Sequence, residues 1–184
     1  MAAQRVIVTV DQFEEFLALP ENRDRNFELI DGEIIEKMPT DEHGTIANLI
    51  GGEFYIYLKA NPIGRAGVEV RFQMPDDLAN SIQPDVSFIK AEYAVVKQGA
   101  VPRMPDLAVE IKSPSDTYSL LRDKAQYYLK NGTKLVWLVY PEQRIVEVYA
   151  PGVDLKLLTE RDTLDGGEVL PNFTLAVSDI FKTL

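Results

Sequence analysis

Cysteine is absent from this 184-residue chain, and histidine and tryptophan each occur once. Without cysteine there is no disulfide framework and no thiolate-ligated zinc. A lone histidine also makes a zinc hydrolase a weak reading. No apolar run approaches the roughly 20 residues of a membrane-spanning helix. The opening residues, MAAQRVIVTVDQF, lack the layout of a secretory signal, so a cytoplasmic location is expected. Positive charge is scarce as well: 19 Lys and Arg stand against 29 Asp and Glu, a net charge of −10. Nucleic-acid binders ordinarily carry a basic footprint, because phosphate contacts supply most of their non-specific affinity. This balance argues against a tight, scanning DNA binder acting alone. There is no internal repeat, low-complexity tract or long linker, so one domain over 1–184 is expected.

What is present is concentrated in Pro105 to Asp116, PDLAVEIKSPSD. Leu107, Val109 and Ile111 alternate with Ala108, Glu110 and Lys112, the period of a strand. One face is apolar and suits a core. The other carries a carboxylate and an ammonium about 7 Å apart along the strand. Upstream, Gln83-Pro84-Asp85-Val86-Ser87-Phe88 reads as a second short strand opening on Pro-Asp.

Asp85 followed by Glu110-x-Lys112 is the order of residues in PD-(D/E)xK nucleases. The chemistry needs these types. A hard divalent cation, Mg²⁺ or Mn²⁺, takes carboxylate and carbonyl oxygens. Asp85, Glu110 and the Ile111 carbonyl are the candidate ligands. Metal-bound water is a better nucleophile, and the cation neutralises charge developing on phosphate. Lys112 adds a point charge that can orient the water or stabilise the transition state. The bland alternative is a cross-strand ion pair on a hydrated strand edge. Bound cations add positive charge at the site itself, which softens the objection from net charge. So does the clustering of Lys112, Arg122, Lys124, Lys130 and Lys134 on the motif strand and the segment after it.

Further motifs stand around this pair in a fixed order. Phe27-Glu28-Leu29-Ile30-Asp31-Gly32-Glu33 comes first, then His43, then the two Pro-Asp strands. Lys124, Tyr128, Gly132, the strand of Trp137 and Leu170-Pro171-Asn172-Phe173 follow. From about residue 9 to the C-terminus, the set resembles the Uma-two family of restriction-endonuclease-like proteins, abundant in cyanobacteria. The resemblance implies a PD-(D/E)xK fold, a divalent-metal nuclease site and frequent homodimers. It also implies a near-site acidic role for Glu28 and a phosphate or water contact for His43. A lysine in the helix after the motif strand can matter in the family, so Lys112 and Lys124 compete for the same task.

Against each role stands a plainer one: a solvent-facing strand carboxylate for Glu28, a helix-terminal polar residue for His43, a solvated helix position for Lys124. Lys124 and Tyr128 lie four apart on a helix and share a face. Ser113 and Ser115 have no base partner, which makes a serine hydrolase a poor reading.

The remaining elements follow from local signals. Thr9 to Gln12 reads as a capping box opening a short helix with Phe13, Phe16 and Leu17 inward. Asp31-Gly32 marks a hairpin. A helix runs from about Asp41 to Leu58, and Val68, Val70, Phe72 and Met74 suggest a half-buried strand. A helix after Thr117 ends at Asn131-Gly132. Residues 134–140 form a central apolar strand that pairs with 145–149, and Ser178 is a candidate cap for a last helix over Asp179 to Thr183. The expected fold is α+β: a mixed sheet flanked by helices, with an N-terminal hairpin. The expected function is Mg²⁺- or Mn²⁺-dependent hydrolysis of DNA phosphodiesters. The alternative is a catalytically silent nuclease-like domain that acts through protein interaction or dimerisation.

Overall fold

A computed structural model describes residues 7–182. Helix α1 (Val10–Ala18) starts at Thr9, whose side chain accepts from the Gln12 N–H while the Gln12 side chain accepts from the Thr9 N–H. This reciprocal cap is the one the sequence predicts. Strands β1 (Asn26–Ile30) and β2 (Glu33–Lys37) form the hairpin. Its two turn residues, Asp31 and Gly32, both have positive φ (48° and 74°), the two-residue turn whose twist matches the strands. Helix α2 (Asp41–Ala60) is capped by Thr40 and carries Gly51-Gly52 without breaking.

A mixed six-stranded sheet forms the centre, in the order β3 (Gly64–Val68), β4 (Val86–Lys90), β5 (Leu107–Ile111), β6 (Leu135–Tyr140), β7 (Ile145–Tyr149) and β8 (Lys156–Thr159). Only β5 and β6 pair in parallel, joined over one face by α3 (Tyr118–Lys130). The strand of Trp137 is therefore internal, as its unbroken apolar run demands. Ile46, Ile50 and Phe54 of α2 pack with Val109, Trp137 and Val139 on one face. The short strands β9 (Thr163–Asp165) and β10 (Thr174–Ala176) and the helical turn α4 (Val177–Ile180) bring Leu164, Leu175 and Ile180 into the same core. Leu121, Ala125 and Tyr128 of α3 pack with Ala108, Val136 and Leu138 on the other face. A smaller core joins α1 to the hairpin through Phe13, Phe27 and Leu29.

Two expectations need correction. The strand expected over Val68 to Met74 lies earlier, at Gly64–Val68, because Glu69 adopts positive φ (52°) and turns the chain out of the sheet. The alternation of Val70, Phe72 and Met74 is satisfied by packing on the α3-side core, with only isolated bridges from Phe72 to Ile82 and Val101. The last helix, expected over Asp179 to Thr183, runs instead over Val177–Ile180 with no side-chain cap, and Thr183 lies outside the described residues. Among the described residues, no helix is long and apolar enough to cross a membrane.

Candidate active site

Strands β4 and β5 are antiparallel neighbours, with Val86 opposite Val109. Asp85 donates its N–H to Val109 O, which continues the ladder one residue before β4 and fixes the Asp85 backbone beside β5. Glu110 projects from β5 on the α3 side, while Leu107, Val109 and Ile111 enter the α2-side core, as the strand period predicts. Asp85, Glu110 and Glu28 line one small cavity of about 40 Å³ together with Lys37, His43 and Lys124. All three carboxylates are buried, at 1%, 4% and 3% exposure.

Burial at this depth is tolerated only when charges are paired. Asp85 Oδ1 accepts from Lys37 Nζ at 2.6 Å, and Oδ2 accepts from the Ile111 N–H at 2.6 Å. His43 Nε2 lies 3.0 Å from the same Oδ2. Lys124 Nζ donates to Glu110 Oε2 at 2.7 Å and reaches both Glu28 oxygens at 3.0 and 3.1 Å. Tyr128 donates to Glu110 Oε1 at 2.6 Å, and the Gln83 N–H donates to Glu28 Oε1 at 2.6 Å. Each of the six carboxylate oxygens thus has a donor from the chain itself.

The two sheet carboxylates titrate in opposite directions. Burial pushes Asp85 up, but Lys37 and His43 together outweigh it and hold Asp85 well below the usual carboxylate range. Burial also pushes Glu110 up. Lys124 opposes this, but the negative charges of Glu28 and Asp85 add to burial, and Glu110 is pushed up to about 7. Lys124 is raised: burial lowers it, and the Glu110 and Glu28 carboxylates more than offset that. His43 is raised too: burial lowers it, and its hydrogen bond to Asp85 together with the negative charge of Asp85 more than offsets that. Carboxylates driven apart in this way mark sites where one group holds charge and the other exchanges a proton near neutral pH.

Glu28, His43, Asp85, Glu110, Lys124 and Tyr128 converge as named residues of one cluster. Lys112 does not join them. Its ammonium bonds the Ser113 carbonyl at 3.1 Å and lies 5.3 Å from the Tyr118 ring centre. The strand ends at Ile111, so the shared face with Glu110 does not translate into a shared site. The basic cluster inferred from sequence also disperses. Lys124 is buried, Arg122 is tied to Glu147, and Lys134 precedes β6 at the sheet end away from Glu110, whose partner on β6 is Leu138. Lys37 is the residue that sequence reasoning missed, although the hairpin holds the signal. A two-residue turn fixes Ile30 opposite Glu33, hence Glu28 opposite Ile35 and Asn26 opposite Lys37, which puts Glu28 and Lys37 on one face.

The donor set suits a hard cation in kind: three carboxylates beside a cavity large enough for a small ion. In this arrangement lysines and N–H groups already engage those oxygens, and among the described residues no group of three or more His, Asp or Glu is disposed as a ready-made metal site. The fit is therefore one of ligand chemistry alone.

A mixed sheet with one parallel pair, a crossover helix over one face and an acidic pair on adjacent strands defines a restriction-endonuclease-like protein. Residues 13–178 match the Uma2 family model, described as "Putative restriction endonuclease", and the chain belongs to this family. It is similar to the crystal structure of "a putative nuclease belonging to DUF820 from Anabaena variabilis ATCC 29413", with 25% identity and a TM-score of 0.81 over 95% of this chain and 98% of that one. A cryoEM structure of a DrdV–DNA complex aligns at 16% identity with a TM-score of 0.35, over 74% of this chain and 10% of that one, a likeness too slight to bear on fold or function. No curated protein matches the chain.

Proposed function

We propose that this protein is a divalent-metal-dependent endonuclease that hydrolyses DNA phosphodiester bonds. The observation that carries the reading is the convergence of Asp85, Glu110 and Lys124 on one cavity from the residue preceding β4, from β5 and from α3. Asp85, Glu110 and the Ile111 carbonyl would hold Mg²⁺ or Mn²⁺. When bound, the cation activates water and neutralises charge on the phosphate. The chain's own residues do the rest. Lys124 holds a full positive charge against Glu110, where it can align the water and stabilise the negative transition state. Tyr128 fixes the Glu110 rotamer, and His43 fixes Asp85.

A second reading has its own observation. With every carboxylate oxygen of the cluster satisfied internally and a net charge of −10, the same site describes a silent domain that acts through other proteins or through a second copy of itself. Nicking of supercoiled plasmid with Mn²⁺ or Mg²⁺ separates the two. The enzyme nicks with cation, and Asp85→Asn and Glu110→Gln do not. Equal nicking by Glu110→Gln and wild type would mean a contaminant and favour the silent domain.

A further inference from the structure

We propose, on the reading of Asp85 as a cation ligand, that Lys37 is a resident counter-ion: it occupies Asp85 Oδ1 until a divalent cation displaces it, and so sets the cation concentration the site requires. Lys37 Nζ sits 2.6 Å from Asp85 Oδ1 and 2.8 Å from the Gln83 carbonyl. The lysine side chain is 12% exposed and that of Asp85 2%. A metal ligated by Asp85 needs the lone pairs that this ammonium uses. The other oxygen, Oδ2, is already engaged by the Ile111 N–H and by His43, so a cation reaches this carboxylate at the expense of Lys37. The two therefore compete for the same oxygen.

Position decides that Lys37 is the group that leaves. It is the last residue of β2, and it leads into Met38, which is 62% exposed, and Pro39 at the rim of the same cavity. Its four-carbon stem lets the head swing outward to water at little backbone cost. Lys124 has no such route. It lies mid-helix at 6% exposure, clamped between Glu110 and Glu28. The two lysines thus divide the work: Lys124 stays as fixed charge of the site, and Lys37 yields.

The test is Mn²⁺ binding measured by titration calorimetry and by melting shift, without reference to cleavage. Wild type, Lys37→Met, Lys37→Gln, Lys37→Arg and Asp85→Asn are compared. Lys37→Met should bind Mn²⁺ about 10- to 100-fold more tightly than wild type, the worth of a hydrogen bond to a charged partner. Lys37→Arg, which keeps the charge, should not tighten. Lys37→Gln can still donate to Asp85 without the charge, and it carries the test if Lys37→Met fails to fold. Tightening in either uncharged variant, lost again in Asp85→Asn, supports the counter-ion. Equal or weaker binding than a wild type that does bind overturns it and leaves the metal site standing. Absence of Mn²⁺ binding in wild type and in every Lys37 variant overturns the metal site as well.

Discussion

Two buried glutamates lie in one row across the sheet, one on each side of Leu138: Glu110 on β5 and Glu147 on β7. Both receive a cation from α3, two residues apart, and both accept from tyrosines. Their chemistry differs because their charge balance differs. Glu147 takes two hydrogen bonds from Arg122, at 2.5 and 3.2 Å, and one each from Tyr140 and Tyr149, at 2.9 and 2.8 Å. Burial pushes it up, and these donors overcome that and leave it lowered. One carboxylate with its own guanidinium is a closed structural unit. Glu110 instead shares Lys124 with Glu28, next to Asp85, and ends up raised to about 7. A carboxylate short of positive charge is one that a cation or proton can still bind.

The sharpest way to break this contrast is neutralisation of each glutamate in turn. Glu110→Gln and Asp85→Asn should lower Mn²⁺-dependent plasmid nicking by at least about 10²- to 10³-fold, the usual scale for loss of a charge-stabilising group. Glu147→Gln should leave the nicking rate near wild type once the protein is folded. Comparable losses from Glu147→Gln and Glu110→Gln would erase the distinction.

Removal of the α3 cations tests the same contrast on stability. Lys124→Ala leaves two buried carboxylates without their shared partner and should cost about 3–5 kcal/mol in chemical denaturation, the scale for breaking one side of a buried pair. Arg122→Ala should cost less, since the Arg122 side chain is 52% exposed and Tyr140 and Tyr149 still donate to the Glu147 it leaves behind. A reversed order would mean that the Glu110 cluster is relaxed by water reaching the cavity.

The pH profile comes next in size. Glu110 has a folded-state pKa of about 7 against an ordinary 4.5, so its protonation favours the fold. That contribution is complete below about pH 4.5 and is lost as pH rises through about 7. His43, also raised, acts in the same direction above its ordinary 6.5. The melting temperature without metal should therefore fall between pH 5 and 8, and Glu110→Gln should flatten much of that fall. Because a cation needs the ionised carboxylate, its stabilising effect should grow over the same interval. A wild-type curve that climbs across this range would contradict the raised Glu110.

Much of this was readable in the sequence, and the parts that were not share a cause. The capping box at Thr9, the Asp31-Gly32 turn, the Glu110 strand and the Trp137 strand are local signals, and the structure contains each of them. So is the four-residue spacing that puts Lys124 and Tyr128 on Glu110. The positive φ of Glu69, which moves β3 earlier in the chain, has no composition cue, because it depends on Glu69 bonding Asn26 and donating to the Asp85 carbonyl. Lys37 reaches Asp85 across 48 positions of sequence, and only the docking of the hairpin against the sheet makes that contact. Period-based reasoning assigns faces. It does not say where a long side chain ends.

Lys112 gives that last point its test, and the smallest expected effect. Sequence spacing favours it over Lys124 as the assisting lysine, because it shares a strand face with Glu110. In the fold its ammonium is held by the Ser113 carbonyl and the Tyr118 ring, outside the residues that line the cavity of Asp85 and Glu110. Both contacts are partly open to solvent, so Lys112→Ala should change stability by no more than about 0.5 kcal/mol. Nicking by Lys112→Ala should stay close to wild type, and any loss should shrink as salt rises, as for a distant phosphate contact. Lys124→Ala cannot be judged by activity alone, since it also strains the fold. Lys124→Arg, assayed on protein shown to be folded, keeps the charge and separates the two roles. If Lys112→Ala loses nicking at every salt concentration while Lys124→Arg retains it, the assisting charge comes from the motif strand, and Lys124 is only the counter-ion of two buried glutamates.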